Sequence, residues 1–272
     1  MLDKQLNTMA KATDGLVVVF DCESDCTFKS LGGLCREEAY MRMQATVVCA
    51  LVLKTRHCNH PGSQEQALET AEAHHWWRDE TPVEGQAVHG PWGPFSGLLK
   101  LFDAADCIVA YNGLDFDFHL LRKHYGNSKL ARRRWMEHRA KCHDPFSRLR
   151  ATTDLWFKLD ALLVANGIPA KTGTGLEAIK LWEEGRRKEL LAYCTQDVRS
   201  LAELVLRDTL QAPGVGVLAN HVHGVASALA GFRAVRPVEP VEPVEPVEPV
   251  ELAREEDFVM IQAVHTGGGL KG

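Results

Sequence analysis

The chain has 272 residues, 45% hydrophobic and 25% charged, with a formal net charge of −5. These values are ordinary for a globular protein long enough to bury a core without disulfide staples, and the lack of any apolar run of about 18 residues predicts no membrane span. The polar N-terminus and eight scattered cysteines lead us to expect an intracellular protein that is not secreted.

The predicted elements begin with strands and continue with alternating helices and strands. Apolar runs rich in β-branched residues predict strands at 16–20, 46–53, 71–77 and 107–111, and a short one near residue 142. Helical periodicity predicts helices at 95–102, 114–125, 129–139, 158–165 and 186–207. This order is typical of an α/β fold with a mixed central sheet flanked by helices.

Two carboxylates stand where the first strand ends, at Asp21 and Glu23. Residues two apart on a strand project from the same face, so both acids are expected at the carboxyl edge of the sheet. Like charges that close repel each other unless a cation lies between them, and Mg²⁺ prefers oxygen ligands. The alternative is a strand end that turns into solvent.

Further acids follow the fourth strand and lie on the last helix. Asp115 is placed to cap the helix after that strand, and Asp117 falls in its first turn, where an acid often has only a structural role. Tyr193 and Asp197 are four residues apart on the last helix and share a face beside its apolar stripe. A half-buried Asp197 needs a partner, either a nearby arginine or a metal ion.

Residues 122–150 are strongly basic, with ten lysines and arginines against two acids, a local net charge of +8. Such a segment is a candidate surface for phosphates, and a solvated helix face is the alternative. Within it, Arg132, Arg133 and Arg134 are the candidate nucleic-acid contacts.

Five copies of Pro-Val-Glu occupy residues 237–251. Proline at every third position prevents helix and favours polyproline II, so we interpret the repeat as a semi-rigid acidic spacer, with a binding site for a partner protein as the alternative. The resulting division has an N-terminal tail at 1–12, a folded domain at 13–233, the repeat linker, and a C-terminal tail at 252–272.

Three short motifs together resemble a known pattern: FDCE at 20–23, NGLDFD at 112–117 and YCTQD at 193–197. Their types and order are similar to the three exonuclease motifs of the DEDD superfamily, which has a ribonuclease H-like fold. Tyrosine in the third motif resembles the DEDDy branch, which includes the exonuclease domain of family B DNA polymerases and its stand-alone relatives. The resemblance spans roughly residues 16–207.

This resemblance implies a role for each matching residue. Four acids match the ligands of two Mg²⁺ or Mn²⁺ ions, and they are Asp21, Glu23, Asp117 and Asp197. Tyr193 matches the residue that orients the attacking water. Asn112 and Phe116 match positions that shape the nucleic-acid site. Asp115 is an extra acid, and the Phe-Asp pairing makes Asp117 the expected ligand.

The implied activity is a metal-dependent 3′–5′ exonuclease that releases nucleoside 5′-monophosphates from a single-stranded end of DNA. An RNA exonuclease of the same fold is one alternative, because the choice of sugar depends on contacts to the 2′ position. A non-catalytic nucleic-acid-binding or scaffold module is the other. The expected partner is a nucleic acid, DNA rather than RNA. No binding to a membrane is expected.

Overall fold

A computed structural model describes residues 15–32, 34–58, 64–79, 93–169, 173, 175–219 and 224–225. The predicted tails at 1–12 and 252–272 and the repeat linker at 237–251 lie outside these residues. The proposed domain boundaries therefore stay predictions.

A five-stranded mixed sheet forms the centre of the described domain. Its strands are β1 (Leu16–Ser24), β2 (Ala45–Lys54), β3 (Glu72–Trp77), β4 (Cys107–Val109) and β5 (Cys142–His143), in the order β3-β2-β1-β4-β5. Strand β2 is antiparallel to β1 and β3, whereas β1, β4 and β5 are parallel. The predicted α/β class, with helices around a mixed central sheet, is confirmed.

The helices of the described residues are α1 (Arg36–Arg42), α2 (Thr55–Cys58), α3 (Gln64–Glu69), α4 (Ser96–Ala104), α5 (Asp117–Leu121), α6 (Lys129–Ala140), α7 (Pro145–Thr153), α8 (Leu159–Ala165), α9 (Gly175–Glu183) and α10 (Arg187–Leu206). Short 3₁₀ turns lie at Gly93–Phe95 and Arg122–His124, and a separate hairpin pairs β6 (Thr209–Ala212) with β7 (Gly216–Ala219). No helix in these described parts has the length and apolar character needed to cross a bilayer.

Helices cover both faces of the sheet, which explains why β1 and β2 are apolar along almost their whole length. Val17 and Val19 of β1 face the core that α8, α9 and α10 form on one side. Val18 and Phe20 face the core that α4 and α5 form on the other. Because side chains alternate along a strand, the later odd-numbered residues of β1 also face α10.

The structure differs from the predicted elements around the second motif. A helix was expected from residue 114, but residues 111–116 form turns and α5 begins at Asp117. The residue that precedes the helix is Phe116, and no side chain caps the helix there. The expectation that Asp115 caps this helix is wrong, because the chain is still turning at that residue.

Candidate active site

Asp21 and Glu23 lie in the last four residues of β1, on the face that meets α10. Donor atoms of these two carboxylates and of the Cys194 thiol on α10 all lie within 4.8 Å of one another. The Cys194 thiol also donates to the Asp21 carbonyl at 3.7 Å, and this contact ties α10 to β1. The strand pairing of β1 shifts register between Glu23 and Ser24, an irregularity common beside functional sites.

Asp117 reaches the same strand from the other side of the sheet. Its carboxylate oxygen Oδ1 accepts the main-chain N–H of Cys22 at 2.9 Å, and the residue is only 2% exposed. Burial raises the pKa of Asp117 well above its usual value, and the nearby charge of Asp21 raises it further. Three carboxylates thus converge on the end of β1, and we call Asp21, Glu23 and Asp117 the acid edge.

A tight turn after β4 delivers Asp117 to the acid edge. Asn112 takes a left-handed conformation with φ of 59°, which asparagine tolerates better than most residues. Its carbonyl then accepts the N–H groups of Asp115 and Phe116 at 3.2 and 3.0 Å. The predicted importance of Asn112 therefore has a structural basis in the turn, and its contact with nucleic acid stays a prediction.

The buried residue Asp144, which was not predicted from the sequence, stabilises this turn through hydrogen bonds. Its carboxylate accepts the N–H of Asn112 at 2.9 Å and of Leu114 at 3.1 Å. It also caps α7 by accepting the N–H groups of Phe146 and Ser147. The signal in the sequence is Asp144 directly before Pro145, a pair typical of a helix start.

Phe116 packs among aromatic side chains next to the acid edge. Its ring lies 6.0 Å from that of Tyr40 and 6.3 Å from that of Phe28, both edge-on. The Tyr40 hydroxyl donates to the carbonyl of Asp115, so α1 also supports the turn. The ring of Phe116 is partly buried, and its proposed contact with substrate remains a prediction.

The third motif lies on α10, which carries Tyr193, Cys194 and Asp197. Tyr193 is 6% exposed and Asp197 is 2% exposed, so both are more deeply buried than expected for residues at the margin of the apolar stripe. A Cβ added to Gly173 would lie 3.4 Å from the Tyr193 ring, so the chain before α9 packs closely on this phenol. Asp197 follows Cys194 by three residues on the same helix, but it is not part of the Asp21–Glu23–Cys194 group.

The residues at this edge suit a hard divalent cation. The acid edge supplies carboxylate oxygens, which Mg²⁺ and Mn²⁺ prefer. Burying like charges together is costly, as the raised pKa of Asp117 shows, and a cation between them offsets that cost. The Cys194 thiol is a soft donor, and it is an addition that the sequence motifs did not suggest.

The basic candidates lie on α6, which packs on the sheet face opposite to α10. Arg132 is exposed, whereas Arg133 forms an ion pair with Glu137 at 2.8 Å. Arg134 forms an ion pair with Asp103 and donates to the Leu99 carbonyl at 3.1 Å. The side chain of Arg134 is thus engaged within the protein, and phosphate binding by these three arginines remains a prediction.

No protein-family model matches the chain, and no curated protein matches it. Among solved structures, it is similar to E. coli Exonuclease I in complex with a 5cy-dT13 oligonucleotide. The identity is 17% and the TM-score is 0.34, and the alignment covers 66% of this chain and 42% of that one. The chain therefore spans less than half the length of that protein.

Proposed function

We propose that the chain is a metal-dependent nuclease that removes nucleoside 5′-monophosphates from the 3′ end of single-stranded DNA. The observation that carries the proposal is the acid edge, where Asp117 is buried against the charge of Asp21. A binding module gains nothing from burying like charges, whereas a nuclease needs them to hold cations. The direction of cleavage and the choice of DNA follow the resemblance of the three motifs to the exonuclease domain of family B DNA polymerases.

Asp21, Glu23, Asp117 and Asp197 would hold two Mg²⁺ or Mn²⁺ ions. When bound, such ions generate a nucleophile from water at neutral pH and offset charge on the phosphate. The chain's own residues do the positioning. The N–H of Cys22 fixes one Asp117 oxygen, and the turn of residues 111–116 fixes its backbone.

Tyr193 has a separate role in this proposal. A phenol keeps its proton at neutral pH, so Tyr193 serves as a hydrogen-bond donor that orients the attacking water rather than as a base. The close packing around its ring restricts where the hydroxyl can point. Tyr193→Phe should therefore lower the turnover number while leaving metal affinity close to that of the wild type.

The test uses 5′-labelled single-stranded DNA and RNA with Mg²⁺, Mn²⁺ or EDTA. Asp21→Asn and Asp197→Asn preserve side-chain shape and should abolish cleavage, and the exposed Asp208→Asn is the matched control. A ladder of products shortened from the 3′ end is expected. Cleavage in EDTA, or full activity of both site variants, would overturn the proposal. Faster cleavage of RNA would favour the ribonuclease alternative, and binding without cleavage would favour the scaffold.

A further inference from the structure

Trp156 is an exposed tryptophan that the catalytic proposal leaves without a role. It lies just after α7, and 68% of its surface is accessible to solvent. The other tryptophans among the described residues are all partly buried. Large aromatic side chains are normally withdrawn from water, so an indole held in solvent suggests a binding surface.

The backbone on both sides of Trp156 is fixed. Asp154 ends α7 in a left-handed conformation with φ of 57°, and the N–H of Leu155 bonds to the Thr153 hydroxyl at 3.2 Å. Phe157 is buried, and its carbonyl accepts the Tyr111 hydroxyl at 2.6 Å. The exposed indole therefore stands on a fixed segment rather than on a loose loop.

One face of the indole is already covered. The Arg150 guanidinium carbon lies 3.9 Å from the centre of the ring, and the Phe146 ring meets the indole edge-on at 5.3 Å. These contacts orient the ring, and its exposure leaves the opposite face open. An aromatic face of this kind stacks on a flat ring such as a nucleobase, whatever the base.

Arg150 and Phe146, the two residues that contact the indole, also line a cleft of about 440 Å³. The cleft is completed by four residues, which are Asp115, Ser147, Ala151 and Asp154. Two acids against one arginine make this cleft a poor place for a phosphate. A neutral base fits better, because carboxylates accept hydrogen bonds from its amino groups.

The turn of residues 111–116 connects the cleft to the acid edge. Asp115 lines the cleft and precedes Asp117 by two residues, a separation of at most about 7 Å along the backbone. Asp144 bonds both to Leu114 in the turn and to Phe146 in the cleft wall. A strand with its phosphate at the acid edge would therefore bring a neighbouring base within reach of Trp156.

We propose that Trp156, backed by Arg150, is the stacking subsite for a base adjoining the scissile phosphodiester of the single-stranded substrate. This inference rests on the proposed nuclease function. Base–aromatic stacking of this kind predicts that Trp156→Ala raises the KM for an oligonucleotide about tenfold, with kcat within about twofold of wild type. Trp156→Phe keeps a ring and should recover most of the affinity.

The experiment compares two substrates with the full-length protein. One is a 5′-labelled single-stranded oligodeoxynucleotide, and the other is a 5′-labelled strand of the same length made only of abasic nucleotides, which carries no base that could stack. Trp156→Ala should impair only the first. Val217→Ala, a change at an exposed apolar residue on β7, is the matched control and should leave both unchanged.

Abasic nucleotides placed one at a time from the 3′ end then locate the base. At one position the abasic substrate should weaken wild type and Trp156→Ala to the same KM, because the stacking partner is gone. Equal KM values for wild type and Trp156→Ala on the intact oligonucleotide would refute the stacking subsite but would not contradict the proposed nuclease function. A wild-type protein inactive on both substrates would refute the nuclease, and the subsite with it.

Discussion

The substitution Asp144→Ala should destabilise the protein and displace Asp117. The reason is that the Asp144 carboxylate bonds both to the turn before Asp117 and to the start of α7. It accepts N–H groups from Asn112 and Leu114 in the turn and from Phe146 and Ser147 at the start of α7. Alanine leaves these four donors without their acceptor. The change therefore tests whether this buried acid organises the candidate active site.

The magnitude follows from the bonds lost. Loss of the helix cap at α7 costs about 1 kcal/mol, and leaving the two turn N–H groups unsatisfied costs about 1–2 kcal/mol each. Burial raises the pKa of Asp144, so removing a costly buried carboxylate returns part of this loss. The net expectation is a decrease of about 3 kcal/mol in the free energy of unfolding, a large share of a typical domain's stability.

Urea denaturation of wild type, Asp144→Ala and Asp144→Asn measures this difference. The asparagine variant keeps one acceptor oxygen but turns an amide N–H₂ toward a main-chain donor, so it should lie between the other two. Nuclease activity, measured where all variants are folded, should fall by at least about tenfold for Asp144→Ala, because small displacements of a catalytic group are costly. A loss of under about 1 kcal/mol with unchanged activity would refute this account of Asp144.

Two further predictions concern stability. Burial lowers the pKa of His124 to about 4. The neutral imidazole therefore contributes to the free energy of unfolding above pH 6.5, and up to about 3 kcal/mol is lost as the pH falls toward 4. The urea midpoint should fall less steeply over this range for His124→Leu than for wild type, and parallel curves would contradict the lowered pKa. Gly113→Ala would place a Cβ 2.3 Å from the Ala110 side chain in the turn before Asp117, so thermal unfolding should show a decrease of about 1–3 kcal/mol in the free energy of unfolding. Gly175→Ala at the start of α9, with open space around it, should be neutral or stabilising. Equal melting temperatures for the two variants would contradict the packing argument.

The elements that carry the acid edge were predictable from the sequence because they have strong local signals. The β-branched run of β1 predicts a strand from its composition, and the apolar stripe of α10 predicts a helix from its period. The rule that side chains alternate along a strand was enough to place Asp21 and Glu23 on one face. The Asp117 carboxylate lies at the same end of β1, and the role of these acids as metal ligands stays a prediction.

The missed features depend on contacts between distant parts of the chain. Asp144 lies 30 residues from Leu114, and Cys194 is more than 170 residues from Asp21, so no local pattern relates them. Residues 114–116 were predicted as the start of a helix because Asp115 resembles a cap, whereas the left-handed Asn112 and the bonds to Asp144 favour a turn. The sequence does not distinguish Trp156 from Trp135 or Trp182 as a residue that stacks on bases, whereas its exposure in the structure does.

The basic segment at 122–150 has a consequence for how ionic strength would act on this protein. Four of its cations donate to main-chain carbonyls of other segments: Lys123 to Met43, Arg134 to Leu99, Arg139 to Leu114, and Lys141 to Phe102 and Asp103. Cations that bond to the protein's own carbonyls in this way are not free to neutralise phosphates, so they displace no counterions from a polynucleotide. The slope of log affinity against log salt concentration should therefore correspond to far fewer phosphate contacts than the ten bases suggest.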